Sequence, residues 1–276
     1  MLKRGKKMNR TNWYYNPEIM YNIVNTCKSR EITFLSKEKN LFTVRNIFAN
    51  HSNYLKSNFQ AFKFIDRPYN IYYSLAKYDN MSPFSYHPAK RKEQQCIFNK
   101  NALKHIVAYD WGLDFDGEGI EQLEEAYNDC KLVKSLFDKY GVPYTLKFSG
   151  SKGFHLKVPY EYLPKRLKLN TATGEDNIYD WLKGLAELLV FKFELHTLDL
   201  GIFDPRRIWK ADYSYVCETG LISLPLNDLE FLNWHIDLVK PEVVIRTPLR
   251  NRGEILRKSN SEGLKKLCYE EFEYEY

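Results

Sequence analysis

The stretch Ala108-Tyr109-Asp110-Trp111-Gly112-Leu113-Asp114-Phe115-Asp116-Gly117-Glu118-Gly119 most narrows what this chain can become. Apolar residues (Ile106, Val107, Ala108) lead into two aspartates separated by one phenylalanine, and a glycine-rich break follows. Side chains alternate faces in a strand, so Asp114 and Asp116 point one way while Leu113 and Phe115 point the other. Their α-carbons then lie about 6.5–7 Å apart, which lets both carboxylates reach one divalent ion or a pair of them. Like charges held that close repel unless a cation or protons neutralise them. Taken alone, an Asp-x-Asp is more often a solvated acidic turn at a strand end, so the rest of the chain decides.

Downstream, Ile120, Leu123, Tyr127, Cys130, Val133, Leu136, Phe137 and Tyr140 recur at helical spacing before Gly141 and Pro143, which predicts one amphipathic helix. Tyr144 to Phe148 and Phe154 to Val158 alternate around Ser149-Gly150-Ser151-Lys152-Gly153 and predict a hairpin. A second helix follows from Ile178 to Phe193, then a strand from His196 to Leu200 and a turn at Asp204-Pro205. Upstream, Asn16-Pro17 opens a helix that runs to Cys27. Glu31 to Leu35 and Leu41 to Arg45 read as short strands, 52–62 as a helix, and Tyr69 to Tyr78 as one buried strand. Residues 79–103, with Pro83, Pro88 and Lys90-Arg91-Lys92, read as a long loop or small insertion. This order predicts an α/β chain of the α+β type, with a mixed central sheet flanked by helices.

The 276 residues, 44% of them hydrophobic, suffice for one large core or a core with an appended lobe. No apolar run approaches a membrane span, and the basic N-terminus leads into no signal region. The expectation is a soluble protein without a membrane partner, not secreted: cytoplasmic, or nuclear or virus-associated in a eukaryotic host. Five dispersed cysteines without a Cys-x-x-Cys pair argue against a disulfide framework and a structural zinc ribbon. The formal charge of +6 permits a polyanionic partner without demanding one. We expect a basic, flexible arm over 1–15, a catalytic domain over 16–234, and a basic extension with an acidic, Tyr-rich tail over 235–276, packed on the same domain.

The hairpin gathers Ser149, Ser151, Lys152 and His155 with two glycines that let the backbone approach a ligand. Hydroxyls, backbone N–H groups, an ammonium and an imidazole together make a polyphosphate cradle. Asp199 lies in an otherwise apolar strand, where a lone carboxylate is costly unless paired or metal-bound. Asp204 before Pro205 is an ordinary turn residue. Arg207 and Lys210 follow and suit phosphate oxygens, although singly each would be surface charge.

In this order the residues resemble the three signature motifs of archaeo-eukaryotic primases. These are hydrophobic-Asp-hydrophobic-Asp at Leu113 to Asp116, a Ser-x-His-type hairpin at Ser149 to His155, and hydrophobic-Asp at Leu198-Asp199. The likeness is greatest to the catalytic (small) subunit of archaeal and eukaryotic DNA primase. Arg30 to Phe34 with Val44-Arg45 resembles that family's Arg-Glu-Phe strand and the arginine after it. Tyr72 to Ala76 resembles its Tyr-Tyr-Ser segment, and Arg207 through Ser214 to Thr219-Gly220-Leu221 resembles the stretch after its third aspartate. The likeness runs from Arg30 to Pro225. Three departures stand out: Ser151 and Lys152 replace two arginines, Val216 replaces a histidine, and no zinc-binding cysteine cluster is evident.

The resemblance implies an archaeo-eukaryotic primase fold and two Mg2+ or Mn2+ ions held by Asp114, Asp116 and Asp199. It implies that Ser149, Ser151, Lys152, His155, Arg207, Lys210 and, more weakly, Arg45 grip the nucleotide phosphates. Single-stranded DNA template and nucleoside triphosphates are the implied partners, with a primase large subunit or a replicative helicase as a further one. Template would run over basic surface that includes Arg250, Arg252 and Arg257, with salt-sensitive affinity. The expected activity is that of a DNA primase. A primase-polymerase or repair polymerase that mainly extends existing primers is the alternative, and a non-catalytic nucleic-acid-binding subunit, which needs no carboxylates, is the third reading.

Overall fold

The computed structural model describes residues 10–36, 43–48, 69–79, 103–119, 122–164, 178–247 and 262–273. Its helices are α1 Pro17–Thr26, α2 Leu123–Tyr140, α3 Ile178–Phe193, α4 Asp228–Leu232, α5 Pro241–Val244 and α6 Glu262–Phe272. Its strands are β1 Glu31–Ser36, β2 Thr43–Phe48, β3 Tyr69–Ser74, β4 Ala76–Tyr78, β5 Ile106–Tyr109, β6 Trp111–Asp116, β7 Thr145–Phe148, β8 Gly153–Val158 and β9 Ile208–Lys210. The expected α/β class is observed. The strands form three sheets rather than one (β2-β1-β3-β9, β4-β5 and β6-β8-β7), and every pair among the described residues is antiparallel.

α1 begins where Asn16 accepts from the amides of Glu18 (2.9 Å) and Ile19 (3.4 Å), with Pro17 in the first turn. Packing starts earlier, inside the segment expected to be a flexible arm. A 3-10 turn at Arg10–Tyr15 buries Trp13, whose indole N–H donates to the Tyr213 carbonyl at 2.8 Å. The Tyr215 amide donates to the Tyr14 hydroxyl at 2.9 Å.

Two expected strands are each broken in two by one buried ion pair. Tyr69 to Tyr78 divides at Leu75, and the approach to the aspartates divides at Asp110. Arg30 donates to the carbonyls of Ser74 (2.9 Å) and Leu75 (2.7 Å) and meets Asp110 at 2.6 Å, so both chains bend around it and change sheets. The predicted strand at His196 to Leu200 is also absent. Only Leu198 bridges β6, opposite Phe115, and Asp199 then caps the 3-10 turn Leu200–Ile202.

Below the site lies the core: Leu113 and Phe115 of β6, Phe148 of β7, Phe154 and Leu156 of β8, and Ala126, Cys130, Val133 and Phe137 of α2, all buried. α2 ends as its spacing predicts, at Gly141 with φ +69. Across it packs α6, whose Glu271 accepts from Lys139 (3.0 Å) and pairs with Lys192 of α3 (2.8 Å). Among the described residues no helix is long and apolar enough to cross a membrane.

Candidate active site

Register brings the chemistry together. β6 pairs with β8 so that Asp114 faces His155 and Asp116 faces Gly153, while β7 sets Lys147 beside His155. The third aspartate arrives by backbone bonding to the same strand. The Asp116 amide donates to the Thr197 carbonyl and the Asp199 amide to the Asp114 carbonyl, each at 2.8 Å. Asp129 of α2 fixes this segment by accepting from the amides of His196 and Thr197 (both 2.9 Å) and from the Thr197 hydroxyl (2.8 Å). Asp199 accepts from the Gly201 amide at 2.8 Å, and its side chain is 39% exposed. It therefore escapes the burial cost that an in-strand position would impose.

The hairpin turn is built around Ser149, whose hydroxyl accepts from the amides of Ser151 (3.3 Å) and Gly153 (3.2 Å). Gly150 has φ +90, and its carbonyl accepts from the Thr219 hydroxyl at 2.7 Å. A Cβ on Gly150 would lie 2.3 Å from Val216 Cγ2, so the buried Val216 packs on this turn. A Cβ on Gly153 would lie 1.7 Å from the Phe115 carbonyl oxygen. Gly153→Ala is therefore expected to cost about 2–4 kcal/mol and to pry β6 from β8. Urea unfolding measures this, and an unchanged midpoint would contradict the close approach.

Each carboxylate meets its own basic side chain. Asp114 Oδ1 lies 3.1 Å from His155 Nε2, Asp116 Oδ2 3.3 Å from Lys152 Nζ, and Asp199 Oδ2 3.3 Å from Arg207 Nη2. Lys210 donates to the Ser151 hydroxyl at 3.2 Å. Burial by itself would raise the Asp114 pKa, but His155, Lys210 and Arg207 more than offset it, and the carboxyl falls below its ordinary value. Asp116 is raised, by burial and then by Asp114, against the opposing pull of Lys152. Burial lowers both His155 and Lys210.

Among the described residues no three His, Cys, Asp or Glu side chains are grouped to hold one metal ion. The donor chemistry still fits hard divalent cations: three carboxylates on bonded backbone, with Asp114 Oδ1 buried against His155. Arg45 lies in β2, but its side chain is outside the described residues. So are Arg250, Arg252, Arg257, Lys90 to Lys92 and the helix expected at 52–62.

Several contributors escaped the sequence reading. Trp209 stacks on His155 with ring centroids 4.2 Å apart, and Gly112 makes room, since a Cβ there would lie 2.6 Å from the indole. Lys147 bonds the Lys210 carbonyl and pairs with Asp212 at 3.2 Å, tying β7 to the segment that carries Lys210. Nothing in local spacing marks these residues, because their partners are distant in sequence. A separate cavity of about 480 Å3 is lined by Lys28, Arg30, Lys77, Asp110, Lys157 and Asp212, among others. Its inner cations are already matched, Arg30 and Lys157 by Asp110 and Lys77 by Glu161.

This α/β architecture of antiparallel sheets and helices is shared with a polymerase domain. The polymerase domain of ligase D from Mycobacterium tuberculosis, solved in complex with DNA, is similar over 86% of each chain, with a TM-score of 0.50 at 13% identity. In sequence, an aligned stretch 161 positions long is 38% identical to an uncharacterised protein of Methanocaldococcus jannaschii and covers 53% of this chain and 36% of that protein. No family model matches.

Proposed function

We propose that the chain is a template-dependent nucleotidyltransferase of the archaeo-eukaryotic primase type. It would act as a DNA primase catalytic subunit, making short primers from nucleoside triphosphates on single-stranded DNA. The observation that carries this reading is Asp114 and Asp116 on β6, with Asp199 bonded to that strand and the Ser149–His155 hairpin alongside. The polymerase-domain fold supports it. Asp114, Asp116 and Asp199 would hold two Mg2+ or Mn2+ ions, which when bound activate a 3′-hydroxyl and neutralise charge on the leaving pyrophosphate.

The chain's own residues do the rest. Ser149, Ser151, Lys152, His155, Arg207 and Lys210, with Arg45 a weaker candidate, bind and orient the triphosphate. Trp209 holds the imidazole plane, and the buried β6–β8 face keeps water from Asp114. The 3′-oxygen forms a bond to the α-phosphorus as the α–β bridging bond breaks, so no covalent protein nucleophile is needed. A primase large subunit or a replicative helicase is the accessory partner such an enzyme would take.

One observation favours a second reading, a polymerase that mainly extends existing ends. Val216 packs on Gly150 where the family places a histidine, so one phosphate-binding group is missing for the first nucleotide. Single-stranded template with labelled nucleotides and no primer separates the two. Labelled di- and oligonucleotides are expected; extension of an annealed primer alone selects the second reading, and no incorporation in either case rejects both.

A further inference from the structure

A second polar recess lies at the open end of the β7–β8 hairpin, away from the turn that carries Ser149 to Lys152. Its volume is about 480 Å3, and Thr145 and Lys157, partners across β7 and β8, belong to its wall. Lys157 is four residues, about 13 Å, along β8 from Gly153 at the turn. Lys28, Arg30 and Lys77 line the recess with Lys157, against two acids, Asp110 and Asp212. Two positive charges are therefore in excess. The partners outside the wall, Glu161 on Lys77 and Lys147 on Asp212, leave that excess unchanged.

The excess falls on particular side chains. Asp110 serves two cations with one charge: it meets Arg30 at 2.6 Å and Lys157 only at 3.4 Å. The other contact of the Lys157 ammonium, to the Tyr73 hydroxyl, is also 3.4 Å, so one of its three N–H donors is uncommitted. Burial by itself would lower the Lys157 pKa, but Tyr73 and Asp110 more than offset it, and the ammonium stays charged. Lys28 is exposed and has no acidic partner among the described residues. Ser29 beside it holds a left-handed turn, φ +58, and its carbonyl accepts from the Tyr78 amide at 2.8 Å, which fixes this segment against β4. The remaining lining is the Asn25 amide and the hydroxyls of Thr26, Ser29 and Thr145, with Pro159 apolar and no aromatic ring. Converging ammonium groups suit the terminal oxygens of a phosphate monoester, and hydroxyls with Asp212 suit a sugar, whereas a base would find nothing to stack on.

We propose that this recess binds a small sugar phosphate, with Lys28, Lys77 and Lys157 on the phosphate and Asp212, Asn25 and Thr145 on the sugar hydroxyls. The site is distinct from the carboxylate and hairpin site, and it stands whether or not the chain transfers nucleotides.

The test is calorimetric titration of the full chain in EDTA with ribose 5-phosphate, beside inorganic phosphate and ribose. Ribose 5-phosphate is expected to bind at about 1 mM or tighter, inorganic phosphate at least about threefold more weakly, and ribose not measurably. Lys28→Ala with Lys77→Ala removes two cations that are not buried, and is expected to weaken binding at least about tenfold. Lys152→Ala with Arg207→Ala is expected to change the affinity by less than about twofold, because those side chains belong to the other site. The reverse pattern would move the ligand to the hairpin and overturn the proposal, as would no binding up to roughly 20 mM. Equal affinity for inorganic phosphate would overturn the sugar assignment. Displacement of the probe by a 5′-phosphorylated oligonucleotide, but not by its unphosphorylated form, would give the recess to a strand end and overturn the small-molecule assignment.

Discussion

Asp110→Ala is expected to lower the thermal unfolding midpoint by about 10 °C, from a loss of roughly 3–5 kcal/mol. Asp110 is fully buried where the chain passes from β5 to β6. One carboxylate oxygen lies 2.6 Å from Arg30 Nη2 and 3.4 Å from Lys157 Nζ, and the other accepts from the Tyr160 amide at 3.0 Å. Arg30 in turn holds the carbonyls at the β3–β4 break, so one acid ties together β1, both broken strands and the end of β8. Removing it leaves two cations in low dielectric without a counter-charge, which costs far more than losing a surface pair.

The acid limb of the stability profile carries a matching signature. Burial alone would raise the Asp110 pKa, but Arg30, Lys157 and the Tyr160 amide more than offset it and take it from 3.8 to about 2. A folded-state value below the unfolded one stabilises the protein fully above the unfolded value and ceases to do so as pH falls through the folded one. About 2 kcal/mol should therefore disappear between pH 3.8 and about 2. Melts followed by circular dichroism from neutral pH to pH 2 check both points. A variant melting within about 2 °C of the wild type, with the same acid limb, would show that the pair contributes little.

This pair also explains what the sequence could and could not disclose. Helices were legible wherever their signals are local: the Asn16-Pro17 cap, the apolar stripe of α2 and its Gly141 stop all lie within a few residues of what they control. The hairpin was legible for the same reason, since alternation and turn chemistry sit side by side. The strand breaks at Leu75 and Asp110 were not, because they answer to Arg30, which is 80 positions from Asp110 in the chain. Asp199 shows the same division. Its proximity to β6 depends on Asp129, and Asp129 on a helix face looks like any solvated acid. Apolar flanks suggested a strand there, but one bridge followed by a side-chain cap uses the same residues with less buried charge. Candidate residues could be named from their order in the chain, whereas the pairing of each acid with a particular basic side chain required the fold.

Asp114→Asn is expected to reduce nucleotide incorporation by at least about a hundred- to a thousandfold while leaving the fold in place. Asparagine keeps the shape that faces His155 across β6 and β8, and it gives up both the burial cost of the charge and the attraction to His155, Lys210 and Arg207 that offsets it, so stability should fall by only about 1 kcal/mol. What it loses is the full negative charge at a buried oxygen that faces only His155, the feature that most suits a divalent cation here. His155 simultaneously loses the acid that orients it, although Trp209 still restrains the ring plane. A weakened grip on the cation should appear as a rise in the Mn2+ concentration needed for half-maximal incorporation, a change that damage to folding alone does not produce. Asp129→Ala makes the contrast: it touches no substrate, so its smaller loss, about ten- to a hundredfold, should come without that shift in metal requirement. Incorporation by Asp114→Asn within about tenfold of the wild type, at unchanged metal demand, would reduce the carboxylates to bystanders. The chain would then be better read as a nucleic-acid-binding subunit on a polymerase-like fold.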